Sequence, residues 1–252
     1  MQFNSPLDTM DTPFAATPQA AAVLASVPGL AAVVRDDEQR VVSCNDAYSA
    51  ASRRPIAELI GTRHSDYETN AFTAERRDLM RAVIDQNTPR DFLQFWDGRA
   101  WLCRLIPLDH AAFGFPGTLS VIMQAPMGTA LVEAGTIHVL RTANFGELST
   151  LTPAEKRSFF DLAMGRSNNE IAERHERSVR TIECHVRAIH EKLGTSSRSA
   201  IVRDASERGI QLFTKEQWLT MIGKGSLGRG PGARNDPVGS SEIEPKDSTQ
   251  TA

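Results

Sequence analysis

Ser167–Gly194, SNNEIAERHERSVRTIECHVRAIHEKLG, is the stretch whose reading decides the carboxy-terminal half of the chain. From Val179, apolar residues recur at helical spacing: Ile182, Val186, Ile189 and Leu193 share one side, while Arg180, Glu183, Cys184 and Arg187 fall on the other. Helix starts are written out around it. LTPAE offers Thr152 as N-cap, Pro153 at the first helical position and Glu155 to close a capping box, and SNNE repeats that logic with Ser167 and Glu170. A further helix starts at Ser178, after HER, and Gly194 ends it. Two helices joined by a tight turn, the second with an apolar inner row and a polar outer row, make a helix-turn-helix whose second helix fits a DNA major groove. The outer row then has chemistry to offer: Arg187 as donor to guanine or phosphate, Glu183 as acceptor from cytosine, Cys184 in close apolar contact.

These residues carry a resemblance. LTPAE, SNNEIAE, SVRTIECHVRAIHEKLG and the following SR resemble the LuxR/FixJ-type helix-turn-helix of bacterial transcription regulators over about 60 residues. The resemblance implies a recognition helix from Ser178 to Leu193 and a fourth helix in SRSAIVRDASERGI that supports dimerisation. By position it implies that Arg180, Thr181, His185, Lys192 and Arg198 face the DNA backbone and that Glu183, Cys184 and Arg187 face bases, with Ser178, at the helix start, counted among the DNA-binding residues. The chain departs from the family at the turn. His175, Glu176 and Arg177 stand where the family has Leu, Gly and an apolar residue, so strain or different packing is expected there. Ile201 and Ala205, four apart on the fourth helix, are expected to be left for a dimer interface once the three-helix core is full. The partners implied are double-stranded DNA, bound as an inverted repeat, and a second copy of the chain.

The 252 residues suggest two compact units plus tails, and a formal net charge of -3 requires any nucleic-acid surface to be local. Cys44, Cys103 and Cys184 are far apart, odd in number and lack CxxC spacing, which argues against disulfides or zinc and fits a reducing cytoplasm. No metal site is expected: HEKLG is not HExxH, and the five-residue offset of His185 and His190 puts them on different helix faces. MQFNSPLDTMDTPF has no basic n-region, and no apolar run approaches the roughly 18 residues of a membrane span, so no membrane role is expected. The expected organisation is a disordered start over 1–17, a first domain over 18–125, a linker over 126–150 that can itself be helical, the helix-turn-helix domain over 151–222, and a Gly-, Ser- and Pro-rich disordered tail over 223–252.

The first domain has short apolar runs between turn signals: LAAVV, RVVSC, DFLQFW, AWLCRL and TLSVIM. AAVVRDDEQ imitates the acidic strand end of a phosphorylation receiver. No lysine precedes Lys156, however, and RVVSC follows DDEQ at once, so the acidic run reads as a hairpin turn. Strand, turn, strand, then NDAYSAASRRPIAELIG, the helix AERRDLMRAVIDQN and three apolar strands resemble a PAS sensor domain, with Asn45 after the second strand and AELIG ending at Gly61. The fold expected is therefore α+β, a PAS-like antiparallel sheet with helices followed by an all-α four-helix LuxR-type domain.

The PAS resemblance implies a cavity between sheet and helices that can hold a small-molecule ligand, or a surface for a protein signal. Haem would need a histidine on AERRDLMRAVIDQN, and a photoactive flavin would need a cysteine in GTRHSDYETN; neither is present, so neither group is expected. His64 is read as a surface residue, Cys103 as a buried small apolar group, and Phe92, Phe95, Trp96, Trp101 and Met123 as core rather than pocket, with some of them able to do both. Two functional classes stay open. One is a sequence-specific transcription regulator with a PAS-like sensory or dimerisation domain. The other is an interaction module whose helical part has lost its DNA role. No nucleophile, metal or phosphate-loop constellation suggests an enzyme.

Overall fold

The computed structural model describes residues 15–68, 70–125 and 137–224. Strands β1 (Ala31–Asp36) and β2 (Val41–Cys44) form the expected hairpin. The acidic run is its turn: Asp36 Oδ1 accepts the Arg40 N–H at 2.7 Å, and Gln39 takes a left-handed φ of 69°. Helices α1 (Pro18–Ala25), α2 (Asp46–Ser52), α3 (Ile56–Leu59) and α4 (Asn70–Gln86) flank strands β3 (Arg90–Trp96), β4 (Arg99–Pro107) and β5 (Gly117–Gln124), with a short α5 (His110–Phe113) before β5. The sheet order is β2-β1-β5-β4-β3, closed at one edge by a further strand, β6 (His138–Ala143). All pairings are antiparallel except β3 with β6.

Asn45 shows why the second strand ends where it does. Its Oδ1 accepts from Tyr48 N at 3.0 Å as the N-cap of α2 and from Ala32 N at 3.0 Å, while Nδ2 donates to the carbonyls of Leu30 and Ala25 at 2.7 and 3.0 Å. One side chain thus satisfies four backbone groups and ties α1, β1 and α2 together.

The segment expected as a linker is in part a structural element, which corrects that expectation. Residues 126–136 lie outside the described residues, but β6 follows, and a 3-10 turn over Gly146–Thr150 brings Phe145, Leu148 and Leu151 into the core. HVLRTA has the strand period: Leu140 joins the core under α4, while Val139 and Ala143 face the opposite side.

The carboxy-terminal part comprises α6 (Pro153–Ala163), α7 (Asn168–His175), α8 (Val179–Leu193), α9 (Arg198–Glu207) and α10 (Lys215–Lys224). The fifth helix exceeds the expected four, and it includes Gly223 and Lys224, the first residues of the expected disordered tail; the rest of that tail, like residues 1–14, lies outside the described residues. Thr214 and Gln217 cap α10 reciprocally. This helix returns to the sheet, and Trp218, fully buried, is the reason. Its ring stacks on Phe160 at 5.8 Å and meets Phe95 and Phe145 edge-on at 5.3 and 5.4 Å, and its Nε1 donates to the Lys156 carbonyl at 2.9 Å. Leu93, Phe95 and Ala143 from the sheet therefore share one core with Phe159, Ile171, Ile182 and Ile201 from the helices.

Ile201 and Ala205 are members of that core, each at 0 % exposure. The expectation that they remain for a dimer interface is corrected: α9 turns them inward against α6 and the 3-10 turn over Ile210–Leu212, whose apolar residues belong to the same core.

Polar contacts reinforce the junction. Ala100 N donates to the Arg208 carbonyl at 2.8 Å, and the buried Arg208 donates to Asp204 at 2.8 Å and Glu147 at 3.0 Å. Gly209 lies against the sheet, where an added Cβ would meet that of Ala100 at 2.8 Å while φ is +71°. Trp218→Ala should therefore cost about 3–5 kcal/mol and loosen sheet and helices together. Urea unfolding followed separately by far-ultraviolet dichroism and by fluorescence of the remaining tryptophans should show both transitions moving to lower urea.

Candidate functional site

α8 is built as its sequence requires. Ser178 caps it, its Oγ accepting the Thr181 N–H at 3.1 Å, and Gly194 closes it at φ 63°. Ile182 and Ile189 are fully buried, with Val186 and Leu193 packed against the same core. Arg180, Glu183, Cys184 and Arg187 are all exposed and stand at i, i+3, i+4 and i+7, one continuous stripe. Among the described residues Arg187 makes only a long contact of 3.9 Å, to the Cys184 sulfur, so its guanidinium is available. The supporting helix α7 is fixed by Ser167 and Glu170, which satisfy one another's backbone donors as the capping box predicts.

The other expected DNA-facing residues divide. Thr181 is half-buried and bonded to Ser178 across 2.8 Å. Lys192 Nζ pairs with Glu155 at 2.7 Å; burial opposes the charge on Glu155, yet the Lys192 ammonium and the Thr152 N–H hold its carboxyl below the usual carboxylate range. Arg198 is half-buried and donates to Asn168 Oδ1 at 3.1 Å across the start of α7. His185 is the exception and corrects an expectation: its Nδ1 lies 3.1 Å from the Oγ of fully buried Ser158 on α6, so the ring is turned toward the helical core and not toward a backbone ligand.

The unusual turn has a local explanation that sequence reasoning missed. Glu176 occupies the left-handed position at φ 53°, where glycine is unstrained, and the helix-end bonds from Glu176 N and Arg177 N to the carbonyls of Glu173 and Ala172 are made. His175 replaces an apolar contact with a polar one: its Nε2 lies 2.6 Å from Asp161 Oδ2, and Asp161, 1 % exposed, also accepts from Arg166 and sits 3.7 Å from Arg174. The only forward signal was a pattern of one acid on α6 followed by three cationic or imidazole side chains within 14 residues.

On the other side of the sheet, beneath α2 and α4, Arg35, Tyr48, His64, Arg76, Gln94 and Cys103 line a cavity of about 40 Å³. Cys103 is buried as expected, and burial pushes its thiol up to about 12. His64 is not the surface residue expected, since its ring contributes to this lining. Phe92 and Trp96 line the cavity, Phe95 faces the opposite core, and Met123 is 41 % exposed, so the set read as core serves three environments.

Comparison with known proteins agrees with this division. A PAS fold family profile matches residues 24–123, and one for bacterial regulatory proteins of the luxR family matches residues 149–205. No curated protein sequence gives a significant match. Among solved structures, the Vibrio cholerae VqmA dimer described in the absence of target DNA is 22 % identical, with 81 % of this chain and 93 % of that chain covered and a TM-score of 0.40. A phage VqmA–DPO complex is 18 % identical over 81 % of this chain and 94 % of that one, with a TM-score of 0.43.

Relief of the turn provides a direct check on its geometry. Glu176→Gly should raise stability by about 1 kcal/mol, because it removes a left-handed non-glycine residue that makes no described side-chain bond. Chemical denaturation measures the gain, and an unchanged or lower midpoint would contradict the strain assigned to Glu176.

Proposed function

With a PAS fold joined to a LuxR-family regulatory domain, this chain is, we propose, a sequence-specific DNA-binding transcription regulator whose PAS part senses a small molecule. The observation that carries the reading is the exposed Arg180, Glu183, Cys184 and Arg187 stripe on a helix whose opposite row is anchored in the core. A rigid helix with an unoccupied polar face is what major-groove recognition needs, and phosphate contacts from its ends set the register. Arg187, Glu183 and Cys184 are assigned to base edges. Ser178, Arg180 and Thr181 are assigned to the backbone at the amino-terminal end of the helix, with Lys192 and Arg198, already held by Glu155 and Asn168, beside it.

The cavity beneath α4 is the proposed sensory site. Its location on the reverse of the strands that carry Leu93 and Phe95 puts a ligand one sheet thickness from the helical domain. The protein is proposed to act in the cytoplasm by binding and not by catalysis, as a homodimer on an inverted-repeat operator. Ile201 and Ala205 take no part in that dimer. Sedimentation at micromolar concentration should show the dimer, and a purely monomeric profile would remove it.

Mutation of the stripe tests the reading residue by residue. Arg187→Ala should cost about 1–3 kcal/mol on a selected operator and relax preference at one base position. Arg180→Ala should instead weaken operator and random DNA alike and lower the salt slope by about one. Binding of both variants to the two DNAs over a range of salt would check this. If Arg187→Ala leaves affinity and base preference untouched, α8 is not the reader.

A further inference from the structure

Two arginines occupy inward positions on apolar stripes. Arg35 follows Ala31 and Val33 at the strand period on β1 and is 1 % exposed; Arg76 follows Phe72 and precedes Met80 and Val83 at helical spacing on α4 and is 5 % exposed. Both reach the cavity. Burying two like charges in one cavity lining is costly unless negative charge compensates them, yet their hydrogen-bond partners are neutral, and Glu75 and Glu68 act on Arg76 only at a distance, without a hydrogen bond or ion pair to it. Arg35 donates to the Gln39 carbonyl at 2.8 Å and to the hydroxyls of Tyr48 at 2.8 Å and Tyr67 at 3.3 Å. Burial pushes the Tyr67 phenol up, so it supplies no phenolate. Arg76 donates to Gln94 Oε1 at 2.7 and 2.9 Å, to the Phe72 carbonyl at 3.0 Å and to Thr142 Oγ1 at 3.3 Å, with its guanidinium over the Phe72 ring. Among the described residues neither arginine has an ion-pair partner, although every other buried arginine does: Arg208 holds Asp204 and Glu147.

His64 adds an unmet donor. Arg35 Nη2 lies 3.1 Å from His64 Nε2, and a guanidinium nitrogen can only donate, so Nε2 accepts and the ring proton sits on Nδ1. Burial, then the charges of Arg35 and Arg76, hold this imidazole well below its usual range, so the ring is neutral. Nδ1 is buried and has no hydrogen-bond partner. The cavity lining therefore presents two positive charges and a free N–H donor and contains no acidic side chain, Glu68 and Glu75 standing outside it.

We propose that this cavity is a binding site for a small carboxylate anion, held between Arg35 and Arg76 with an oxygen accepting from His64 Nδ1. A planar carboxylate suits guanidinium donors, and the apolar part of the lining, Val33, Met80 and Phe92, suits a short aliphatic tail better than an inorganic anion. The volume of about 40 Å³ corresponds to roughly three water positions, which limits the ligand to about four to six non-hydrogen atoms. The identification of the ligand class rests on the reading of this cavity as the sensory site.

Titration calorimetry on the full chain with sodium propionate, propionamide and sodium phosphate at fixed ionic strength, together with the His64 ring signals in a nitrogen-15 spectrum, tests it. Propionate should bind and shift the His64 Nδ1 resonance, with propionamide and phosphate silent. Arg35→Met and Arg76→Met should each weaken propionate about 10- to 100-fold. Should either variant misfold by circular dichroism, the propionate and propionamide comparison on the unaltered chain decides alone. Propionamide binding as tightly as propionate, phosphate binding in its place, or no propionate binding would overturn the proposal. Operator affinity measured with each compound separates the two readings. Propionate that binds without altering DNA affinity retains the anion site and removes the sensory role; a neutral compound that alters DNA affinity does the reverse.

Discussion

The packing of Trp218 on Phe95 is the contact on which the rest of the architecture depends. Without it α10 has no reason to leave the helical bundle, and the sheet face carrying Leu93, Phe95 and Ala143 would stand open to water. Phe145 and Phe213 enclose the same pair, so aromatic side chains from strand β3 and from the segments after β6 and before α10 converge on one indole. Area burial of this kind is non-directional, and it is the buried Trp218 N–H to Lys156 and the Arg208 bonds that select one docking geometry among those the apolar faces would tolerate.

Strand β3 divides the molecule. Its pleat sends Phe92, Gln94 and Trp96 to the cavity and Leu93 and Phe95 to the helical core, so the two functional regions are one residue apart along a strand. Gln94 is the junction on the polar side, accepting from Arg76 and donating to Cys103 at 3.0 Å. Trp96 is tied through its Nε1 to Glu68 at 3.0 Å, and Asn144, just after β6, donates to the same carboxylate. The cavity wall and the chain entering the helical domain thus share bonding partners.

Much of this was legible in the sequence wherever periodicity and capping were local. The hairpin at Asp36–Arg40, the caps at Thr152, Ser167 and Ser178, and the inner row of α8 all follow from residues within a few positions of one another. Contacts between distant segments were not legible. The inward position of Ile201 and Ala205 depends on α6, some forty residues earlier, and the role of β6 depends on an unpaired edge at β3, neither of which has a local signature. His64 was misread because a lone histidine in a polar loop has the composition of a surface residue, whereas the sheet and α4 close over it. Arg35 and Arg76 did carry a signal, a charge in phase with an apolar stripe, but that signal is interpretable only once both stripes face the same space.

The same accounting of partners explains how a chain with net charge -3 leaves cations free for the proposed DNA surface. Arg166, Arg174 and His175 converge on Asp161, Lys192 on Glu155, and Arg198 on Asn168. These ties spend cations on holding the helices in place. Arg177, Arg180 and Arg187 are exposed with no described acidic partner, and they lie together along the turn and the outer row of α8. Each cation freed to meet a phosphate releases about one counterion, so an interface with so few free charges gains only modest non-specific affinity. In the proposed reading, discrimination between sequences then falls to base-edge contacts on the stripe, where Glu183 would oppose the phosphate field and penalise a duplex lacking a donor opposite it.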